Sequence, residues 1–160
     1  MTFQSLKYAL WPVLEPLLHL YRRLAHGTTT GVRAMVIDGN NQVFLVKHSY
    51  VAGWHLPGGG VDVGETVRVA MARELFEETN IKVAGEPTLV GLFFNNRVSR
   101  RDHVALFIVR DFIQEMPPEP NQEIIAHGFF AVDALPADTT TATRTRISEV
   151  FEGGRPSELW

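Results

Sequence analysis

Apolar positions along the chain fall first into a helical run and then into shorter strand-like ones. Residues 3 to 25 are mostly apolar and read as a helix, amphipathic or apolar all round, with Pro12 and Pro16 either kinking it or marking its start. After the polar linker His26 to Thr30 come two β-rich runs, Gly31 to Asp38 and Gln42 to His48. Gly39, Asn40 and Asn41 between them tolerate left-handed conformations, so this stretch predicts a β-hairpin. Ser49 to Gly64 holds five glycines and a proline, too many for a regular element, and reads as a loop shaped by backbone geometry.

Thr66 to Thr79 is rich in helix formers, with Thr66 as N-cap and Val69, Ala72, Leu75 and Phe76 available for one buried side. Asn80 can take the left-handed closing conformation, which would fold Ile81 back onto Phe76. Val83 to Asn95 and His103 to Phe112 predict a second hairpin around the polar turn Val98 to Asp102. A proline-rich loop, Met116 to Pro120, leads to the short apolar run His127 to Val132, and a last helix spans about Thr143 to Phe151. Strands mixed with a central and a terminal helix predict an α/β fold, a mixed β-sheet covered on both faces.

Composition narrows this picture. With 160 residues, 45% of them hydrophobic, the chain can bury one core. The division expected is an N-terminal helix at residues 1–26 and a single catalytic domain at residues 27–160. A net charge of -3 provides no basic field for extended nucleic acid. The absence of cysteine excludes disulfides, thiolate metal sites and a cysteine nucleophile, and suits a cytoplasmic location. In the N-terminal run, Glu15 and His19 interrupt the apolar stretch, no small-residue cleavage site follows, and its length falls short of the roughly 20 residues of a spanning helix. Packing on the core or a homodimer seam is the preferred reading. Contact with a membrane surface, helped by Lys7, Arg22 and Arg23, is the less favoured one.

The chemistry concentrates between Gly59 and Ile81. Glu74 lies three residues before Glu77 and four before Glu78, so all three carboxylates project from roughly one side of a helix. Like charges at this spacing repel unless a cation sits among them. Carboxylate oxygens suit magnesium, which keeps several waters and is completed by substrate phosphates. The alternative for Arg73 and Glu77, four apart, is a plain surface ion pair.

Gly59, Glu65, Arg73-Glu74, Glu77-Glu78 and the aliphatic Leu75 and Ile81 stand at the offsets of the Nudix box, and the chain resembles the Nudix hydrolase family. Asn80 replaces the usual glycine; asparagine is the next best residue for a left-handed helix end. Trp54 to Gly60 and the turn Asp133 to Pro136 are similar to the family's flanking segments, so the likeness runs over about residues 31 to 150. The resemblance implies a Nudix-type α/β/α sandwich, to which the N-terminal helix is an extra. It also implies magnesium-dependent hydrolysis of a diphosphate linkage in a nucleoside diphosphate derivative by water attack at phosphorus, with manganese as a substitute metal. By the same resemblance Glu74, Glu77 and Glu78 are metal ligands, the Gly59 carbonyl is a further one, Arg73 holds the neighbouring glutamates, and Glu65 sits behind it. Glu77 and Glu123 are both candidates for the general base, Glu123 being preferred as base or as an extra metal ligand.

Arg33 and Arg97 are candidates for substrate phosphates, and Trp54 and Phe94 for stacking on a base. The histidines show no paired metal spacing, and none is assigned to a site. Two other classes compete. A prenyl-diphosphate isomerase is disfavoured because such enzymes use a cysteine; a silent nucleotide-binding regulatory domain is disfavoured by the intact acidic positions. The proline associated with ADP-ribose cleavage is missing from Leu92 to Val98, and Val46 to Trp54 does not resemble a coenzyme A signature.

Overall fold

A computed structural model describes residues 27–119 and 122–160, together with Pro16. Among these residues the strands are β1 (Thr29–Val36), β2 (Val43–His48), β3 (Trp54–His55), β4 (Lys82–Val83), β5 (Thr88–Phe94), β6 (Asp102–Val109), β7 (Phe112–Ile113) and β8 (Ile124–Phe130). The helices are α1 (Val67–Thr79) and α2 (Thr141–Glu152). The expected N-terminal helix lies outside the described residues. No helix among the described residues is long and apolar enough to cross a membrane.

From Ala34 onward β1 is apolar on both faces, as a strand buried on both sides must be. Val32, Ala34 and Val36 point into a core shared with Ala70, Met71 and Leu75 of α1, while Met35 and Ile37 point into a second core shared with Ile147 of α2. The sheet is thus layered between two helices. β1 runs parallel to β6, and β5 joins β6 antiparallel, giving a mixed sheet of order β1-β6-β5. A second sheet has the order β3-β2-β8, and β4 pairs with β7.

The first expected hairpin does not form. Its turn is as predicted, with Asn41 left-handed at φ 57 and the Asp38 carboxylate accepting from the Asn40 and Gln42 amides at 2.9 and 2.8 Å. Yet β1 and β2 meet only at Ile37 and Val43 before entering different sheets. Turn residues permit a reversal but do not choose the partner strand, which here is decided by burying both faces of β1. The second hairpin forms as β5 and β6, although the run expected from Val83 is split, its first residues pairing with β7 instead. The last strand begins earlier than expected, at Ile124.

Helix α1 matches its predicted ends. Thr66 Oγ1 accepts from the Val69 amide at 3.3 Å, and Asn80, at φ 56, donates its amide to the Phe76 carbonyl at 2.8 Å. Its buried stripe is Ala70, Met71, Leu75, Glu78 and Thr79, so of the expected positions Leu75 is buried and Ala72 half-buried. Val69 and Phe76 are exposed, Phe76 beneath the Lys82 ammonium at 5.7 Å, while Ile81 is fully buried in the core. The rotation has a consequence for chemistry: the inward side of the helix carries Glu78.

Because Asn80 sits in the left-handed region, Asn80→Ala should destabilise the protein by about 1 kcal/mol, whereas Asn80→Gly should be neutral or stabilising. Urea denaturation of the two variants checks this, and equal effects would contradict it.

Candidate active site

The glycine-rich loop after β3 is laid along the free edge of β1. Val32 and Ala34 amides donate to the carbonyls of Gly59 and Pro57 at 2.8 and 2.9 Å, and the Val61 amide donates to Thr30 at 2.9 Å. Gly58 lies at φ 138, and a Cβ there would stand 2.1 Å from the Val32 carbonyl oxygen. Only glycine fits. This close approach turns the Gly58 amide toward α1, where it donates to Glu78 Oε2 at 2.8 Å. Gly59 lies close under Glu74, since a Cβ there would stand 2.5 Å from the Glu74 carboxylate and displace it.

Behind the loop, Arg33 Nη1 donates to the Leu56 and Gly58 carbonyls at 2.9 and 2.5 Å. The guanidinium is therefore an internal brace and not a solvated strand-edge charge. Burial lowers its pKa, opposed first by the Glu78 carboxylate.

On the outer side, Arg73 gathers the acidic residues. Its Nε and Nη2 donate to the two oxygens of Glu65 at 3.0 Å each, its Nη1 to Glu74 at 2.8 Å and Glu77 at 3.3 Å, and its Nη2 to the Gly60 carbonyl at 3.1 Å. Its pKa is held above the usual value by the hydrogen bonds it donates to Glu65 and Glu74. The bonds to Glu65, in turn, hold that carboxyl below its ordinary range. These contacts match the arrangement expected for Arg73 and Glu65, and go beyond a single surface pair.

The three helix carboxylates differ in exposure: 57% for Glu77, 16% for Glu74 and 8% for Glu78. Burial pushes the Glu78 carboxyl up to about 7; the Gly58 amide and Arg33 oppose the shift, and Glu74 and Glu123 add to it. Across from Glu78, at the end of β2, stands His48, with Nε2 3.6 Å from Glu78 Oε1. Glu123 approaches from the loop before β8, where its Oε1 accepts from the Tyr50 hydroxyl at 3.0 Å. One ligand atom from each of His48, Glu78 and Glu123 lies within 4.8 Å of the others, a group able to hold a metal ion. The Gly59 carbonyl already accepts from Val32, which leaves it one lone pair.

Next to this group is a cleft of about 330 Å³ lined by residues including Arg33, His55, Asn95, Arg97, Thr140 and Trp160. Arg33 thus borders both the carboxylates and the cleft, and Arg97 lies on its wall as the sequence reading allowed. Trp54 and Phe94 do not line it: Trp54 packs edge-on against Phe130 at 4.9 Å, and Phe94 lies against His103 at 5.4 Å. Their place is taken by Trp160 and His55. Spacing could not have pointed to His48, Tyr50, His55 or Trp160, which reach the site through strand pairing and loop packing alone.

Residues 27–151 match the NUDIX domain family, and the chain belongs to it. Among curated relatives, a Bacillus subtilis (strain 168) protein provisionally named 8-oxo-dGTP diphosphatase is 43% identical over 56 residues, 35% of this chain and 38% of that protein. An RNA pyrophosphohydrolase of Roseobacter denitrificans is 41% identical over 61 residues, 37% of each chain. The chain therefore matches little more than a third of the length of these relatives. Among solved structures, a MutT NUDIX hydrolase from Burkholderia pseudomallei is 28% identical with a TM-score of 0.66, covering 77% of this chain and 98% of that one.

The raised pKa of Glu78 has a defined effect on stability. Its folded value, about 7, lies above the ordinary 4.5, so folding favours the protonated form. That contribution is complete below about pH 4.5 and lost as pH rises through about 7. In metal-free buffer the wild type should lose stability relative to Glu78→Gln between about pH 5 and about pH 8, by at most about 3 kcal/mol. Urea melts of both proteins at each pH measure the difference; parallel pH profiles would contradict it.

Proposed function

We propose that the protein hydrolyses the diphosphate linkage of a nucleoside diphosphate derivative, with water attacking phosphorus. The observation that carries this reading is the Glu78 carboxylate, buried beside Glu123 and His48 and pushed up to about 7. Such a group is poorly placed as a free anion and well placed as a ligand of a divalent cation.

The donor set fits that role. Glu74, Glu77 and Glu78 supply hard oxygen donors at graded depth, and the Gly59 carbonyl retains a lone pair, a combination suited to magnesium or manganese. When bound, the ion would supply charge neutralisation of the diphosphate and a water of lowered pKa. The chain's own groups do the rest. Arg73 fixes the directions of Glu74 and Glu77, while Glu65 holds Arg73 by a two-pronged contact.

We assign proton removal from the attacking water to Glu123. Its carboxylate is oriented by the Tyr50 hydroxyl and lies close to Glu78, whereas Glu77 is engaged by Arg73. Arg97, exposed on the cleft wall, is placed to meet a phosphate. Asn95, Thr140 and the Trp160 ring offer polar and flat surfaces for the nucleoside. The names of the relatives, 8-oxo-dGTP diphosphatase and RNA pyrophosphohydrolase, support the diphosphate linkage as the target.

A panel of nucleoside triphosphates, dinucleotides and nucleotide sugars, assayed with magnesium in 18O-labelled water, tests the proposal. At least one should be cleaved with label entering a phosphate product. Both Glu78→Gln and Glu123→Gln should lower kcat by about 100-fold or more while the fold, checked by circular dichroism, is kept. Undiminished turnover in Glu78→Gln, or label found only on carbon, would overturn it.

A further inference from the structure

β2 and β8 are not in continuous register. Lys47 pairs with Ala126 and His48 with Ile124, so Ile125 is passed over and the ladder bulges at its end. A bulge re-aims the side chains beside it. Here it sets Glu123 next to the end of β2, where its carbonyl accepts from the Ser49 amide at 2.9 Å.

The His48 side chain is 5% exposed. Nδ1 has no hydrogen-bond partner among the described residues, and Nε2 stops 3.6 Å from Glu78 Oε1, beyond a hydrogen bond. Tyr50 and His55 wall the ring at centroid distances of 5.2 and 5.9 Å without satisfying it. The orphaned nitrogen is Nδ1; Nε2, the one turned toward the Glu78 carboxylate, faces a gap with no hydrogen bond across it. That gap is bounded by two carboxylates, from Glu78 and Glu123, and the three donor atoms lie within 4.8 Å of one another. Around an ion with bonds of about 2.1 Å, ligand atoms stand about 3 Å apart when adjacent and about 4.2 Å apart when opposite, and His48 Nε2 and Glu78 Oε1, 3.6 Å apart, already stand within that range.

We propose that His48 is a nitrogen ligand of the divalent cation, and that with Glu78 it makes a mixed nitrogen and oxygen centre, beside Glu123 as the base, taking a first-row transition-metal ion in preference to magnesium. The inference rests on Glu78 as a metal ligand and goes beyond the all-oxygen set of the helix. An imidazole contributes little to magnesium, which favours oxygen, and much more to cobalt, nickel or zinc. Two carboxylates and a neutral imidazole leave the charge balanced for a dication.

Cobalt(II) and magnesium, titrated separately into the metal-free protein without substrate, form the test. Cobalt(II) should bind the wild type and give a hyperfine-shifted imidazole N–H resonance in the proton spectrum. In His48→Gln that resonance should vanish and the preference for cobalt(II) over magnesium should shrink about ten-fold. His55→Gln, altering the neighbouring ring, should keep the resonance, so the assignment does not depend on His48→Gln folding. No shifted imidazole signal in the wild type, its loss in His55→Gln, or its survival in His48→Gln would overturn the proposal. Because no turnover is read, a protein that shows the signal yet cleaves no substrate would count against the proposed function and not against this ligand.

Discussion

The hydrogen bond from the Gly58 amide to the buried Glu78 carboxylate is the contact on which the site depends. It joins three pieces of chain that the sequence holds apart: the loop, the strand under it and the helix across from it. A side chain at position 58 would collide with β1, and without the close approach the amide would not face the helix. Arg33 secures the same loop from behind by binding two of its carbonyls, and its positive charge offsets part of the unfavourable burial of Glu78. A carboxylate kept from water with one amide donor and a nearby guanidinium remains under-satisfied, the condition in which it binds a proton or a cation most readily.

Around that buried group the other acidic residues form a second tier. Arg73 lies between Glu65, Glu74 and Glu77, and relieves the repulsion that their spacing on and beside α1 would otherwise cause. Because the guanidinium has a fixed fork of donors, it sets the directions of these carboxylates as well as neutralising them. Depth follows from helix rotation. Glu78 shares the inward stripe with Met71 and Leu75, Glu74 presses against Gly59, and Glu77 stays open to solvent. One turn of helix thus supplies carboxylates in three environments, from core to surface.

Much of this was legible in order along the chain. The ends of α1 follow from Thr66 and Asn80, whose capping chemistry is local, and the acidic cluster follows from helical spacing, which is local too. The same locality explains why Arg73, Glu65 and Glu74 assemble as expected. Burial on α1 was misread because periodicity identifies a stripe but not its angle to the core: Val69 and Phe76 are apolar and at helical spacing, yet they face outward. The first hairpin failed for a similar reason, since its turn is compatible with pairing that the rest of the sheet does not use.

What the sequence determined by itself, then, was the family-defining helix, its caps and its carboxylates, fixed by interactions local to the helix, and the glycine-rich composition of the loop before it. Tertiary structure alone decided that β1 pairs with β6, that β8 lies beside β2, and that His48, Tyr50 and Glu123 therefore stand across from Glu78. It also decided that Trp160 and His55, and not Trp54 or Phe94, wall the cleft. The physical reason is that strand partners are selected by how the whole chain buries its apolar faces, a quantity no single stretch carries, whereas helix ends and side-chain spacing are set by the backbone nearby.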